Sequence, residues 1–103
     1  MRRRAKVDQN QPMIVRDLRN AGATVQSLSQ MGAGVPDLLV GWRGSNFLFE
    51  IKDPMRKPSE RNLTDDEKAW HFAWRGQVHK IETTADAFRI LETAREGAHV
   101  HHQ

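Results

Sequence analysis

The sequence predicts a single α/β domain with helices flanking a central mixed four-stranded sheet, its elements in the order αβββαβα. Three observations lead there. Stretches with apolar residues at helical spacing alternate with short apolar runs of strand length. Capping and stop residues bracket the former, and Gly- or Pro-containing turns bracket the latter. The 103 residues suffice for one hydrophobic core and are too few for two.

Residues 1–9, with Arg2, Arg3, Arg4 and Lys6, read as a basic and flexible arm; the folded domain is expected over 10–97 and a flexible tail over 98–103. His99, His101 and His102 fall in or beside that tail and resemble a metal-binding tract, but a frayed terminus accounts for them. A first helix is expected over 11–21. Pro12 suits an early helical position, Asn10 or Gln11 can cap, and Ile14, Val15, Leu18 and Ala21 form one apolar stripe that Gly22 stops. Residues 23–28 read as a short strand and 29–34 as a flexible turn, with Pro36 marking its end.

Leu38, Leu39 and Val40 are continuously apolar, as in a strand covered on both faces. Residues 41–46 read as a hairpin loop and 47–52 as the next strand. There a period of two sets Phe47, Phe49 and Ile51 on one face and Leu48, Glu50 and Lys52 on the other. Residues 53–63 are charged, carry Pro54 and Pro58, and lack periodicity, so an exposed loop is expected. Thr64-Asp65-Asp66-Glu67 is a capping box opening a second helix, with Trp70, Ala73 and Trp74 along one side and Gly76 at its end. Residues 78–82 form a fourth strand. Thr83 or Thr84 then caps a last helix with Phe88, Leu91 and Ala94 inward and Gly97 at its end.

Composition narrows the class of function. No apolar run approaches the roughly 20 residues of a membrane helix, and no signal-peptide core follows the basic start. Without cysteine there are no disulfides or thiolate metal sites, and a cytoplasmic setting is expected. The net charge of +3 favours a polyanionic partner, although small proteins are often mildly basic. Lys52, Arg56, Lys57 and Arg61 form a second basic cluster after the N-terminal one.

Two carboxylates and a lysine stand out by placement. Asp37 opens one strand, Glu50 and Lys52 share a face of the next, and the short connection implies an adjacent antiparallel pair. Charged residues two apart on a strand most often mark a wet sheet face. Here the strand is otherwise very apolar, Asp37 follows a Gly-Val-Pro turn, and a basic loop begins right after Lys52. Asp37 and Glu50 are hard oxygen ligands suited to Mg²⁺ or Mn²⁺, and the Ile51 carbonyl offers a third. Lys52 is placed to orient or help deprotonate an attacking water and to support developing charge.

Gly34-Val35-Pro36-Asp37, twelve residues, then Glu50-Ile51-Lys52 resembles the signature of PD-(D/E)XK nucleases, and the element order is that of their core. The chain is more similar still to the VRR-NUC group, itself similar to archaeal and phage Holliday-junction resolvases, from about Asp8 to Leu91. The resemblance implies a restriction-endonuclease-like fold and Mg²⁺- or Mn²⁺-dependent cleavage of DNA that leaves a 5′-phosphate. Asp37, Glu50 and the Ile51 carbonyl would hold metal, and Lys52 would assist the water. Where the family has a Glu near the first helix, this chain has Asp8-Gln9-Asn10-Gln11; Gln11, or else Asp8, is expected to serve. Where the family has a Gln early in the next helix stands Glu67, which the capping box also explains.

Arg43, Arg56, Lys57 and Arg61 are the candidates for gripping the DNA backbone without reading bases. Trp42 beside Arg43 either stacks on a base or packs back onto the sheet. Trp70 and Trp74 are expected in the core or at a dimer contact, and His71 at the surface. The small domain and its resolvase-like relatives lead to the expectation of a two-fold homodimer. Any helicase or recombination partner is not readable from the sequence. The competing readings are a catalytically silent DNA-binding module and a structural subunit of a larger assembly.

Overall fold

The computed structural model describes residues 8–94, so most of the expected arm, the tail and Gly97 lie outside the described residues. Three α-helices and one four-stranded mixed sheet make a single α/β domain in the expected order. The elements are α1 (Gln11–Asn20), β1 (Thr24–Ser27), β2 (Leu38–Trp42), β3 (Ser45–Ile51), a 3₁₀ turn (Pro58–Arg61), α2 (Asp65–Ala73), β4 (Val78–Ile81) and α3 (Thr84–Leu91). The strands lie side by side in chain order. β1, β2 and β3 pair antiparallel, and β4 joins β3 in parallel after the crossover through α2. No helix among the described residues is long and apolar enough to cross a membrane.

One face of the sheet carries the core. Leu38 pairs with Phe49 and Val40 with Phe47 across the β2–β3 ladder, and Ile51 pairs with Ile81 across β3–β4. These residues are buried against Ile14 and Leu18 of α1 and Ala87 and Leu91 of α3. The alternation predicted for β3 therefore holds, because the period of two fixes which side chains meet the helices.

The opposite face differs from expectation. Leu39 is 38% exposed, so β2 is covered on one face only. The reason is α2, which buries none of its own residues and stands off the sheet instead of sealing it. Trp70 and Trp74 are accordingly not core residues. α2 also ends at Ala73, with Trp74 already extended, three residues before Gly76.

Smaller departures have local causes. The hairpin is tighter than a six-residue loop: the ladder runs to Trp42–Ser45, and Arg43 and Gly44 turn it with φ of 52° and 81°. Two successive positive φ values are what a type I′ turn needs to match the strand twist. Asn10 makes no side-chain cap on α1. Its amide instead donates to the Lys52 carbonyl (3.1 Å) and the Glu82 carbonyl (2.8 Å), pinning the start of α1 to the ends of β3 and β4. Ala21 is exposed outside the apolar stripe, since α1 ends at Asn20. The expected capping box forms between Thr64 and Glu67, and Thr83, one of the two expected caps of the last helix, forms a second box with Asp86.

Candidate active site

The ends of β2 and β3 place the chemistry. Leu38 pairs with Phe49, so Asp37 falls opposite Glu50 on the face away from the core. Asp37 is fixed twice: its carbonyl accepts from the Leu28 N–H at 2.8 Å, and its Oδ2 accepts from the Ile51 N–H at 2.7 Å. The second bond replaces the ladder partner that Ile51 would otherwise find on β2. The Glu50 and Asp37 carboxyls are near enough for each to change the other's affinity for a proton. Its Oε1 is buried without a hydrogen-bond partner, and its Oε2 lies 3.8 Å from the Lys52 ammonium.

Lys52 is gripped from the other side by α2. Its Nζ donates to Glu67 Oε1 at 2.8 Å, and the same oxygen accepts from the Thr64 N–H at 2.8 Å. Glu67 thus caps its helix and holds the lysine at once. α2 is brought close by Gly34, where φ is +84° and a Cβ would stand 2.4 Å from the Asp66 carbonyl oxygen. Only glycine meets both conditions at low cost.

These residues line a cleft of about 680 Å³, together with Asp8, Arg56, the turn at 32–35 and the acidic first turn of α2. Ile51 turns its side chain into the core, so its backbone is what reaches the cleft wall. Seven acidic side chains (Asp8, Asp37, Glu50, Glu60, Asp65, Asp66, Glu67) line the cleft against two basic ones, Lys52 and Arg56. Arg56 pairs with Asp8 at 3.5 Å.

The electrostatics follow from that imbalance. Burial and the nearby charges of Asp37 and Glu67 push the Glu50 carboxyl up to about 10, against a smaller lowering by Lys52. Burial also raises Asp37, against the Ile51 N–H and the Glu50 side chain. The pair therefore holds a proton more readily than two separate carboxylates would. Burial acts to lower the Lys52 amine, but Glu67, Glu50 and Asp8 outweigh it and raise it, so Lys52 stays an ammonium. Burial acts to raise Glu67, but the Lys52 and Thr64 hydrogen bonds outweigh it and keep Glu67 ionised.

The structure thus brings Asp37, Glu50, Ile51, Lys52 and Arg56 together and leaves the other candidates apart. Gln11 is buried in α1, donating to Ser29 Oγ at 3.5 Å, outside the residues that line the cleft. Asp8, not Gln11, lines the cleft ahead of the first helix. Arg61 pairs with Glu82 at 3.7 Å, and Lys57 is exposed just before the 3₁₀ turn. Arg43 sits over the Trp42 ring, 5.1 Å from its centre, at the hairpin tip. That tip is roughly 17 Å along β3 from Glu50. Trp42 packs against the core, as the second of its two readings had it. The sequence singled out Glu67 as a capping-box residue and as standing where the resembled family has a Gln, but gave no sign of its contact with Lys52.

No protein-family model, curated protein or solved structure matches this chain.

Proposed function

We propose that the chain is a metal-dependent DNA endonuclease of the restriction-endonuclease-like, PD-(D/E)XK kind, hydrolysing phosphodiester bonds. One observation carries the reading. Asp37 and Glu50 are held against each other on a cleft wall, with one Glu50 oxygen unpartnered and the Lys52 ammonium beside them.

The residues present fit a divalent cation. Two juxtaposed buried carboxylates leave negative charge that Lys52 alone does not balance, and an orphaned buried oxygen is a vacant ligand. Among the described residues no group of three or more His, Cys, Asp or Glu side chains is arranged to cage a metal. The donor set is instead two carboxylates and the Ile51 carbonyl, which suits Mg²⁺ or Mn²⁺, since Mg²⁺ keeps several of its waters. Such an ion, when bound, supplies positive charge for the phosphate oxygens and acidifies the attacking water.

The chain's own groups do the rest. The Ile51 N–H orients the Asp37 carboxylate toward the pair. Lys52, already protonated, cannot accept a proton; it donates a hydrogen bond and stabilises the charge that grows on the phosphoryl group. Glu67 fixes where that ammonium points. Arg56 is the second cation at the cleft and meets the DNA backbone. A silent DNA-binding module is the weaker alternative, because without a metal a cleft lined by seven acids repels phosphate.

The test is calorimetric titration with Mn²⁺ beside cleavage assays on single-stranded, duplex, flap and four-way DNA. Mn²⁺ should bind, Glu50→Ala should weaken that binding greatly, and at least one substrate should be cut. Unchanged Mn²⁺ affinity in a folded Glu50→Ala protein removes Glu50 from the site. Metal binding with no cleavage of any substrate favours the silent module.

A further inference from the structure

A second, apolar groove neighbours the acidic cleft. On the same sheet face Leu39 pairs with Leu48, two residues further along each strand from Asp37 and Glu50. Glu67 and Trp70 lie one turn apart on one side of α2, and Trp74 follows at the extended residue that ends the helix. Beside the acidic cleft, and sharing no lining residue with it, is a groove of about 420 Å³ lined by Leu39 and Leu48 of the sheet and by the two indoles.

Its chemistry differs sharply from the cleft's. No ionisable side chain lines it; beyond the apolar groups it has only the amides of Asn46 and Gln77. The indoles stack on each other, centres 4.7 Å apart and planes within 17°. Trp74 is still 46% exposed. Its orientation is set by Gly76, where a Cβ would lie 2.8 Å from the indole Nε1. The aromatic wall therefore exists before any ligand arrives, which lowers the entropic cost of binding.

We propose that this groove receives an unpaired nucleobase next to the scissile phosphate, so that the substrate is DNA with at least one unstacked nucleotide at the cut site. The proposal rests on the nuclease reading above and names its substrate class. An uncharged slot cannot hold a phosphate, and a stacked indole pair beside aliphatic side chains offers apolar and aromatic surface to a base ring. Of the two amides, Gln77 is already held by the Asn46 carbonyl and His79, which leaves the Asn46 side chain to meet a base edge. Leu48 lies two residues from Glu50, roughly 7 Å along β3, within reach of the base flanking a phosphate seated at Asp37 and Glu50. Bases inside a duplex are stacked and cannot enter without flipping. A second copy of the chain docking through the indoles would close the groove and is the competing occupant.

The experiment measures binding by the full chain, separately from cleavage. An oligothymidylate of about eight nucleotides is titrated in chelator and in Ca²⁺, against a strand of equal length whose nucleotides lack bases. Base-bearing strand should quench tryptophan fluorescence and bind roughly 5- to 100-fold more tightly than the base-free strand. Trp74→Ala should remove most of that difference and Trp74→Phe restore much of it, while Phe72→Ala, 89% exposed and outside the groove, should change nothing. The base-free comparison uses unaltered protein, so a folding defect in a variant cannot decide the matter. Equal affinity for the two strands, or binding of neither, overturns the proposal even if cleavage is confirmed. Base-dependent binding sustains the groove even if no metal supports cleavage. Sedimentation showing a dimer that Trp74→Ala dissociates overturns it in favour of the second copy.

Discussion

At Lys52, burial of the amine and attraction by Glu67 pull in opposite directions, and the carboxylate wins. The lysine is therefore useful as a fixed positive charge and donor, and replacing it should damage chemistry far more than binding. Lys52→Ala is expected to lower the cleavage rate by ~10²–10⁴ while leaving DNA affinity within a few-fold. Turnover within a few-fold of the unaltered protein would contradict that role. Glu67→Gln tests the grip on it. The amide oxygen can still accept both hydrogen bonds, but the charge that raises Lys52 is gone. Activity that needs the ammonium is lost as pH rises through the lysine pKa, so the alkaline limb of the rate profile should move to lower pH. An unmoved limb would show that Glu67 only caps the helix. Asp37, Glu50 and Lys52 were legible because strand alternation is rigid and the apolar partners Phe47, Phe49 and Ile51 leave one way to turn β3. The Glu67–Lys52 contact spans a loop of no pattern, and nothing local announces it. Gln11 opens α1 and is buried there, whereas Asp8 precedes the helix and lines the cleft, a difference that spacing alone does not show.

Among the elements, α2 matters most and was read least completely. Its start was legible in full, since the Thr64–Glu67 capping box is a local hydrogen-bond pattern within four residues. Its relation to the sheet was not, because Trp70, Ala73 and Trp74 at helical spacing look the same whether they face a core or an open groove. The same ambiguity made β2 read as covered on both faces. What fixes α2 in place is the close approach at Gly34, so Gly34→Ala is expected to push the helix off the site. The added methyl meets the Asp66 carbonyl and the left-handed backbone together. Gly22→Ala is the natural control, for φ there is +103° but nothing lies within 4 Å of a Cβ. Gly22→Ala should cost only the conformational penalty, about 1–2 kcal/mol. Gly34→Ala should lose visibly more in thermal melts and also lose cleavage, because the Lys52 clamp travels with α2. Equal melting temperatures for the two variants would mean that the turn and helix move apart freely.

Over the molecule as a whole, the carboxylate pair makes folding compete with the site. Glu50 is raised from 4.5 to about 10 in the folded chain. A raised acid binds its proton more tightly folded than unfolded, so its contribution to stability is full below pH 4.5 and is lost as pH rises towards 10. Asp37, also raised, acts in the same sense. His71 and His79 are lowered, chiefly by burial, so their contribution is present above the usual histidine value and is lost only as pH falls below it. Above pH 7 the carboxylates therefore set the trend. In chelator, the melting temperature should fall by several degrees between pH 7 and pH 9, about 1 kcal/mol corresponding to roughly 4–8 °C in a domain of this size. Glu50→Gln removes the repulsion without changing shape, so its profile should be flatter and its melting temperature higher at pH 9. Adding Mn²⁺ should reverse the order. At a hundred-fold excess over Kd the ion stabilises the unaltered protein by about 2.7 kcal/mol, and Glu50→Gln gains little. Binding near pH 8 should also release a proton, seen as a dependence of the calorimetric heat on buffer ionisation enthalpy. A protein whose metal-free stability is level from pH 7 to 9, and which Mn²⁺ leaves unchanged, would not hold its carboxylates as a poised cation site.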